Sequence, residues 1–259
     1  MSKDLPDGGE VRVDVQTTDR GDIARLTIDH PERRNAMGPA VIASLTQAAA
    51  QLNEHSDLRL VTIRGSGGIF SAGANVKVMA RLDPDGARAF ITSLHVAIDA
   101  VRRLPVPVIA VLEGRCYGAA MELAAACDMR IADTALIAGM PEVRVGIPSV
   151  IEACLLPRLI GWGKTSELLL TGRDLDADEA LRIGFVERLA AQQDLDAHLQ
   201  DWIDMLLACA PAAVRAQKAV MRGWERDDTP GIAASIQAFS DAYLTDEPAT
   251  YLAPLAGKG

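Results

Sequence analysis

Two short segments carry residue types suited to chemistry at a carbonyl. Phe70-Ser71-Ala72-Gly73-Ala74-Asn75-Val76-Lys77 and Tyr117-Gly118-Ala119-Ala120-Met121-Glu122-Leu123 each place small residues where backbone N–H groups can approach a ligand closely. The second also carries a carboxylate, Glu122, about one turn into a predicted helix. A third segment, Gly139-Met140-Pro141-Glu142, adds another carboxylate. Two small-residue backbone sites and two glutamates can hold a carbonyl oxygen as it gains charge and move protons beside it.

The second segment is the sharper of the two. An apolar run, 108–112, feeds a turn at Glu113-Gly114-Arg115, and a helix opens near Gly118. The first N–H groups of that helix lack intrahelical partners, and its dipole is positive there. A negative oxygen at the Ala119 N–H gains from both. Glu122 lies on the face that Gly118 and Ala119 occupy. A first-turn acid favoured by the dipole is the plain alternative. Its neighbours, Ala119-Ala120-Met121 and Leu123-Ala124-Ala125-Ala126, leave the helix almost no polar face, which suits a buried acid with a raised pKa. Glu142 has its own plain alternative, a solvated loop acid paired to Arg144.

Other motifs fall short of a mechanism. Gly163-Lys164-Thr165 resembles the end of a phosphate loop, but Arg158 stands where the opening glycine belongs. Ser71 is not in a nucleophile elbow, because position 69 is Ile. His30, His55, His95 and His198 match no metal spacing, so no metal is expected. Arg33, Arg34 and Lys77 are the cations available to meet an anionic ligand.

The elements that must position these residues alternate in type. Residues 11–15 and 23–28 alternate in polarity around a turn at Asp19-Arg20-Gly21-Asp22, which predicts a hairpin. Gly38-Pro39 opens a helix to about Asn53, and 60–63 is a short strand. A helix over 84–104 follows, then a continuous apolar strand at 108–112 of the kind found in covered sheets. Residues 118–127 form a helix and 129–132 a strand. From about 149 onward the pattern is almost entirely helical, without strand signal after Leu195. Strand and helix in alternation predict an α/β fold. A faint strand–strand–helix recurrence at 11–53 and 59–104 hints at a repeated unit.

Composition narrows the function. Hydrophobic residues make up 49% of 259, enough for a sizeable core. The net charge of −9 argues against nucleic acid and against an anionic membrane surface as partners. Cys116, Cys127, Cys154 and Cys209 form no CxxC pair, and each sits in an apolar stretch. They are expected to be buried, reduced thiols of a cytoplasmic protein. Residues 1–10 form a polar leader without an apolar signal core, and no membrane span is expected.

Taken in order, these segments resemble the enoyl-CoA hydratase/isomerase family, the crotonase superfamily. The resemblance runs from Pro31-Glu32-Arg33-Arg34-Asn35-Ala36-Met37 through both small-residue segments and Cys127-Asp128 to Pro141-Glu142 with Gly146-Ile147-Pro148. It continues through Leu156-Pro157-Arg158-Leu159-Ile160-Gly161, Leu170-Thr171-Gly172 and 180–186. It implies a crotonase-like spiral of ββα repeats over 1–195 and a helical C-terminal region, 196–259, used to form a homotrimer or homohexamer. It implies an acyl-CoA thioester as substrate and no other cofactor. By resemblance, the Ala74 and Ala119 N–H groups form an oxyanion hole. Glu122 activates water and Glu142 delivers a proton to Cα. Ala72, Gly73, Asn75, Val76, Lys77, Gly118 and Ser149 line the CoA and acyl path, with Arg33 and Arg34 at its entry. Tyr251 and Lys258 correspond to tail residues that reach a neighbour's CoA. The implied activity is hydration of a trans-2-enoyl-CoA. A Δ3-Δ2 isomerase, other acyl-CoA enolate chemistry such as hydrolysis or decarboxylation, and a non-catalytic acyl-CoA binder are the alternatives. The chain departs from the family where Ala119 and Ala120 replace glycines, and where Ser149-Val150-Ile151-Glu152 replaces a glycine-rich helix start. That second change brings bulk and a third carboxylate toward the acyl end.

Overall fold

The structure, a computed structural model, describes residues 8–224 and 229–256. The chain begins with an antiparallel hairpin, β1 (Glu10–Thr18) and β2 (Gly21–Asp29), so Glu10 belongs to a strand and not to the leader. Then come α1 (Pro39–Asn53), β3 (Leu58–Gly65), α2 (Val76–Met79), α3 (Pro84–Arg102), β4 (Val108–Leu112), β5 (Arg115–Tyr117) and α4 (Ala119–Ala126). Next are β6 (Met129–Asp133), β7 (Ile137–Gly139), α5 (Leu156–Ile160), α6 (Trp162–Thr171), β8 (Asp174–Asp176), α7 (Ala177–Arg182) and β9 (Arg188–Ala190). The chain closes with α8 (Leu195–Ala208), α9 (Pro211–Gly223), α10 (Thr229–Ala242) and α11 (Glu247–Ala256).

The strands form a six-stranded sheet, β1-β2-β3-β4-β6-β9, and a three-stranded sheet, β5-β7-β8. Beyond the hairpin the larger sheet is parallel. Both of its faces are covered, which is why β4 reads as unbroken apolar residues and buries all five. One face packs on the main core with α1, α3 and α4. The other packs Ile23, Leu60, Ile109, Val111 and Ile131 against Leu195, Leu199 and Ile203 of α8.

The repeat is now explicit. β4 and β6 each enter the large sheet, and the strands after them, β5 and β7, each enter the small one. In the unit begun by β3, Ser71 takes the second place, through a single bridge to Cys116. The recurrence over 59–104 therefore holds one full strand and one bridge residue. β8 and β9 fall in the stretch read as helical. Each has three residues and owes its conformation to a neighbouring strand.

Asp128 is a structural tie. Its Oδ2 accepts from the Val108 N–H at 2.7 Å and from the Lys218 ammonium at 2.6 Å, which fastens α9 to the start of β4. No cysteine forms a disulfide. Cys116 and Cys127 are buried as expected, but Cys154 and Cys209 are exposed, because each sits on the solvent side of its turn or helix end. Among the described residues, no helix is long and apolar enough to cross a membrane, and no cluster of His, Cys, Asp and Glu could hold a metal ion.

Candidate active site

The two small-residue segments lie side by side. Phe70 N–H donates to Glu113 O, Ser71 N–H to Arg115 O and Tyr117 N–H to Ser71 O, at 2.8 to 3.2 Å. Buried Asn35 braces the preceding loop by donating to Ser66 O and Ile69 O. The Ser71 hydroxyl donates to Asn35 O and accepts from the Gly73 N–H, so Ser71 is a fastener rather than a nucleophile. A Cβ on Gly73 would stand 2.3 Å from Tyr117 O and 3.5 Å from the Ala119 nitrogen. Only glycine allows this approach.

The pairing leaves both proposed donors available. Gly73 O and the Asn75 N–H are engaged by Met37, and the Ala74 N–H lies between them, outside that pairing. Ala119 is the first residue of α4, so its N–H has no intrahelical acceptor. Gly118 makes the sharp entry to that helix with φ 53° and ψ −120°.

Glu122 is 3% exposed in a helix whose eight residues are all buried. The Ala153 N–H donates to its Oε1 at 3.2 Å. Burial raises its carboxyl well above the ordinary range, and the charges of Glu142 and Glu152 raise it further. Glu142 opens the 3-10 turn Glu142–Val145 after β7. Its Oε2 accepts from the Ser149 hydroxyl at 2.8 Å, and its Oε1 rests over Gly118, 2.3 Å from where a Cβ would be. Burial raises its pKa too, against the lowering effect of Ser149. Arg144 does not pair with it; the guanidinium donates instead to Thr171 O at 3.1 Å.

A cavity of about 400 Å³ opens on this cluster. Ala72, Gly73, Ala74, Gly118, Ala119, Glu122 and Glu142 are on its wall, with Phe90, Ile91 and Leu94 of α3, Val150, and Phe239 of α10 making an apolar end. Its size and its few convergent polar groups suit a small-molecule site. A second cavity, of about 490 Å³, meets the first at Ala72, Ala74, Val76 and Leu255. It brings Arg33, Arg34, Asn75 and Lys77 together. Asn75 also caps α2, its Oδ1 accepting from the Lys77 N–H at 3.0 Å.

Ser149 lines neither cavity and acts on Glu142. Tyr251 lines the first cavity of its own chain, because α11 packs against α2 and the 142–145 turn. Lys258 lies outside the described residues. The sequence also hid His95. Its Nδ1 is 2.7 Å from Oε1 of Glu152, a residue 1% exposed and 57 positions away. No local signal marks that pair. At 149–152 the backbone keeps a left-handed turn without glycine, Ile151 having φ 43°.

Two sheets wound from ββα units, with two carboxyls and two small-residue backbone segments on one cavity, define a spiral α/β fold with a candidate small-molecule site. The profile of the enoyl-CoA hydratase/isomerase family matches residues 18–250, and the chain belongs to that family. It is 34% identical over 228 residues to the putative enoyl-CoA hydratase/isomerase YngF of Bacillus subtilis, covering 87% of this chain and 88% of that one. It is 30% identical over 230 residues to the short-chain-enoyl-CoA hydratase of Clostridium acetobutylicum, covering 88% of each. The solved enoyl-CoA hydratase of Bacillus anthracis superposes with a TM-score of 0.78 at 30% identity, over 91% of this chain and 92% of that one. The enzyme from Bacillus halodurans shares the fold with a TM-score of 0.85 at 21% identity, over 93% of this chain and 98% of that one.

Proposed function

We propose that the protein is an enoyl-CoA hydratase that adds water across the 2,3 double bond of a trans-2-enoyl-CoA. The observation that carries this reading is the presence of Glu122 and Glu142 on one cavity wall with Ala74 and Ala119. One carboxylate takes a proton from water as the water oxygen bonds to Cβ. The electron pair of the double bond moves toward the thioester oxygen, which gains negative charge. The two N–H donors stabilise that oxygen, each by roughly 3 kcal/mol on the scale of known oxyanion donors. The second carboxyl then gives a proton to Cα, and the thioester carbonyl re-forms. Only water and the thioester are consumed, so the reaction needs no further cofactor.

On this reading the CoA lies in the second cavity. Arg33, Arg34 and Lys77 give it positive charge for phosphates, and it opens directly onto the thioester site. Met205, Val220, Met221 and Trp224, on or just after α8 and α9, are large exposed apolar side chains. Such residues are a cost in an isolated chain and support self-association through the C-terminal region as a trimer or hexamer. Light scattering reads the assembly directly: three or six copies are expected, and a monomer at micromolar concentration refutes that part. The activity is tested by incubating the protein with crotonyl-CoA and identifying the product by mass. A 3-hydroxyacyl-CoA is expected. Conversion of a trans-3-enoyl-CoA to its 2-isomer without hydration replaces this reading with the isomerase.

A further inference from the structure

Ile151 stands apart in the backbone. Among the described residues, Arg34, Asn35 and Ile151 are the non-glycine residues with positive φ, and Ile151 is the β-branched one of the three. Isoleucine rarely takes that conformation, because its Cβ crowds the backbone there. A residue kept in it must be held by its surroundings. Two ties do so. The Ile151 N–H donates to the Ser235 hydroxyl of α10 at 3.0 Å. That hydroxyl uses its one proton on Ile232 O, at 2.8 Å, so a lone pair is left to accept from Ile151. The next residue, Glu152, reaches α3, where its Oε1 is 2.7 Å from His95 Nδ1.

The strained residue sits between two backbone groups that face Glu122. The Ala153 N–H donates to Glu122 Oε1 at 3.2 Å, and the Val150 N–H bears on the same carboxyl. The segment begins at Ser149, whose hydroxyl donates to Glu142 at 2.8 Å. Residues 149–153 therefore touch both site carboxyls. A change of φ at Ile151 turns Val150 against Ala153, so the two N–H groups cannot both keep their aim. α10 lays one face across this arrangement. Phe239, four residues after Ser235 and so on the same side of the helix, lines the cavity. Ser240 donates to Pro84 O at 2.8 Å, which fastens α10 to the start of α3.

We propose that Ser235 is a positioning residue for Glu122: by accepting from the Ile151 N–H it holds the left-handed backbone from which Val150 and Ala153 aim the carboxyl. Ser235 lines neither cavity and acts only through the turn. The C-terminal region is thereby tied to the geometry of the site, beyond enclosing its apolar end. That the carboxyl so aimed moves a proton in hydration rests on the hydratase reading; the aim itself does not.

The test follows the Ala153 amide by nitrogen-15 NMR, assigned with Ala153→Gly, together with the kinetics of an enoyl-CoA. Glu122→Ala, which removes the acceptor, supplies the unbonded reference position. Ser235→Ala should move the Ala153 amide toward that position. It should lower kcat about 10- to 100-fold, the range for a catalytic group displaced by up to about 1 Å, with KM within about threefold. Ser235→Thr should restore both, because a helical threonine hydroxyl can also donate to the carbonyl one turn back and accept from Ile151. Ala234→Gly, at an exposed neighbour, loosens α10 without touching the turn. It should lower the melting temperature and leave the amide and kcat in place. A folded Ser235→Ala protein with an unmoved Ala153 amide overturns the proposal. So does a moved amide with unchanged kcat, or a loss of kcat that Ala234→Gly matches. A moved amide in a protein whose wild type hydrates nothing keeps the positioning role and refutes only the assigned activity.

Discussion

Gly118→Ala is the sharpest single-atom test of the site. The added Cβ would sit 2.3 Å from Glu142 Oε1, where ordinary contact begins at 3.4 Å. The carboxyl must retreat by about 1 Å, and its hydrogen bond from the Ser149 hydroxyl, now 2.8 Å, is stretched or lost. The backbone adds strain, because φ 53° with ψ −120° suits glycine and costs other residues about 1–3 kcal/mol. Misplacing a catalytic group by about 1 Å costs on the order of 100-fold in rate. We therefore expect kcat for an enoyl-CoA to fall about 100-fold with KM nearly unchanged. The strain should lower the melting temperature by roughly 2–8 °C for a chain of this size. The assay is loss of the enoyl-thioester absorbance, with circular dichroism to confirm folding. A folded Gly118→Ala protein with kcat within about threefold of wild type would mean that the Glu142 carboxyl has no required place over Gly118.

Glu122→Gln should trade activity for stability. Burial, then Glu142 and Glu152, raise the Glu122 carboxyl well above its ordinary value. A raised folded value means that stability is complete below the unfolded carboxyl value, near 4.3, and is lost as pH rises above it. The glutamine variant should therefore melt higher than wild type around pH 8, with the gap closing toward about pH 4; a constant gap contradicts the raised carboxyl. The double variant Arg33→Ala/Arg34→Ala should raise KM for an enoyl-CoA by about tenfold, as expected for two partly solvated phosphate contacts. The same variant should leave an enoyl-pantetheine substrate unaffected; equal losses on both would remove these arginines from nucleotide binding.

What the sequence made legible follows from where each element gets its stability. The first hairpin, α1 and β4 carry their own signals: Asp19-Arg20-Gly21-Asp22 as a turn, Pro39 at the first helical position, and five apolar residues in a covered strand. The two small-residue segments and both glutamates were equally visible, because close backbone approach demands Gly and Ala and because Glu122 stands out in an apolar helix. β8 and β9 were hidden, since three residues have no periodicity and exist only through pairing to β7 and β6. The His95–Glu152 contact was hidden for a related reason. His95 reads as one polar residue on an amphipathic helix, and its partner comes from a turn 57 residues on. The place of Tyr251 and Phe239 on their own chain's cavity depends on how α10 and α11 fold back, which no local pattern records.

The central claim is that two carboxyls on one cavity add water to a thioester polarised by two backbone N–H groups. The most direct measurement is the rate of crotonyl-CoA hydration by wild type, Glu122→Gln and Glu142→Gln, with CoA affinity of each taken by calorimetry. Rapid formation of 3-hydroxybutyryl-CoA by wild type, lost by on the order of 100-fold or more in each variant while CoA affinity holds, is the predicted result. Hydration that survives either substitution, or a wild type that binds CoA and adds no water, contradicts it.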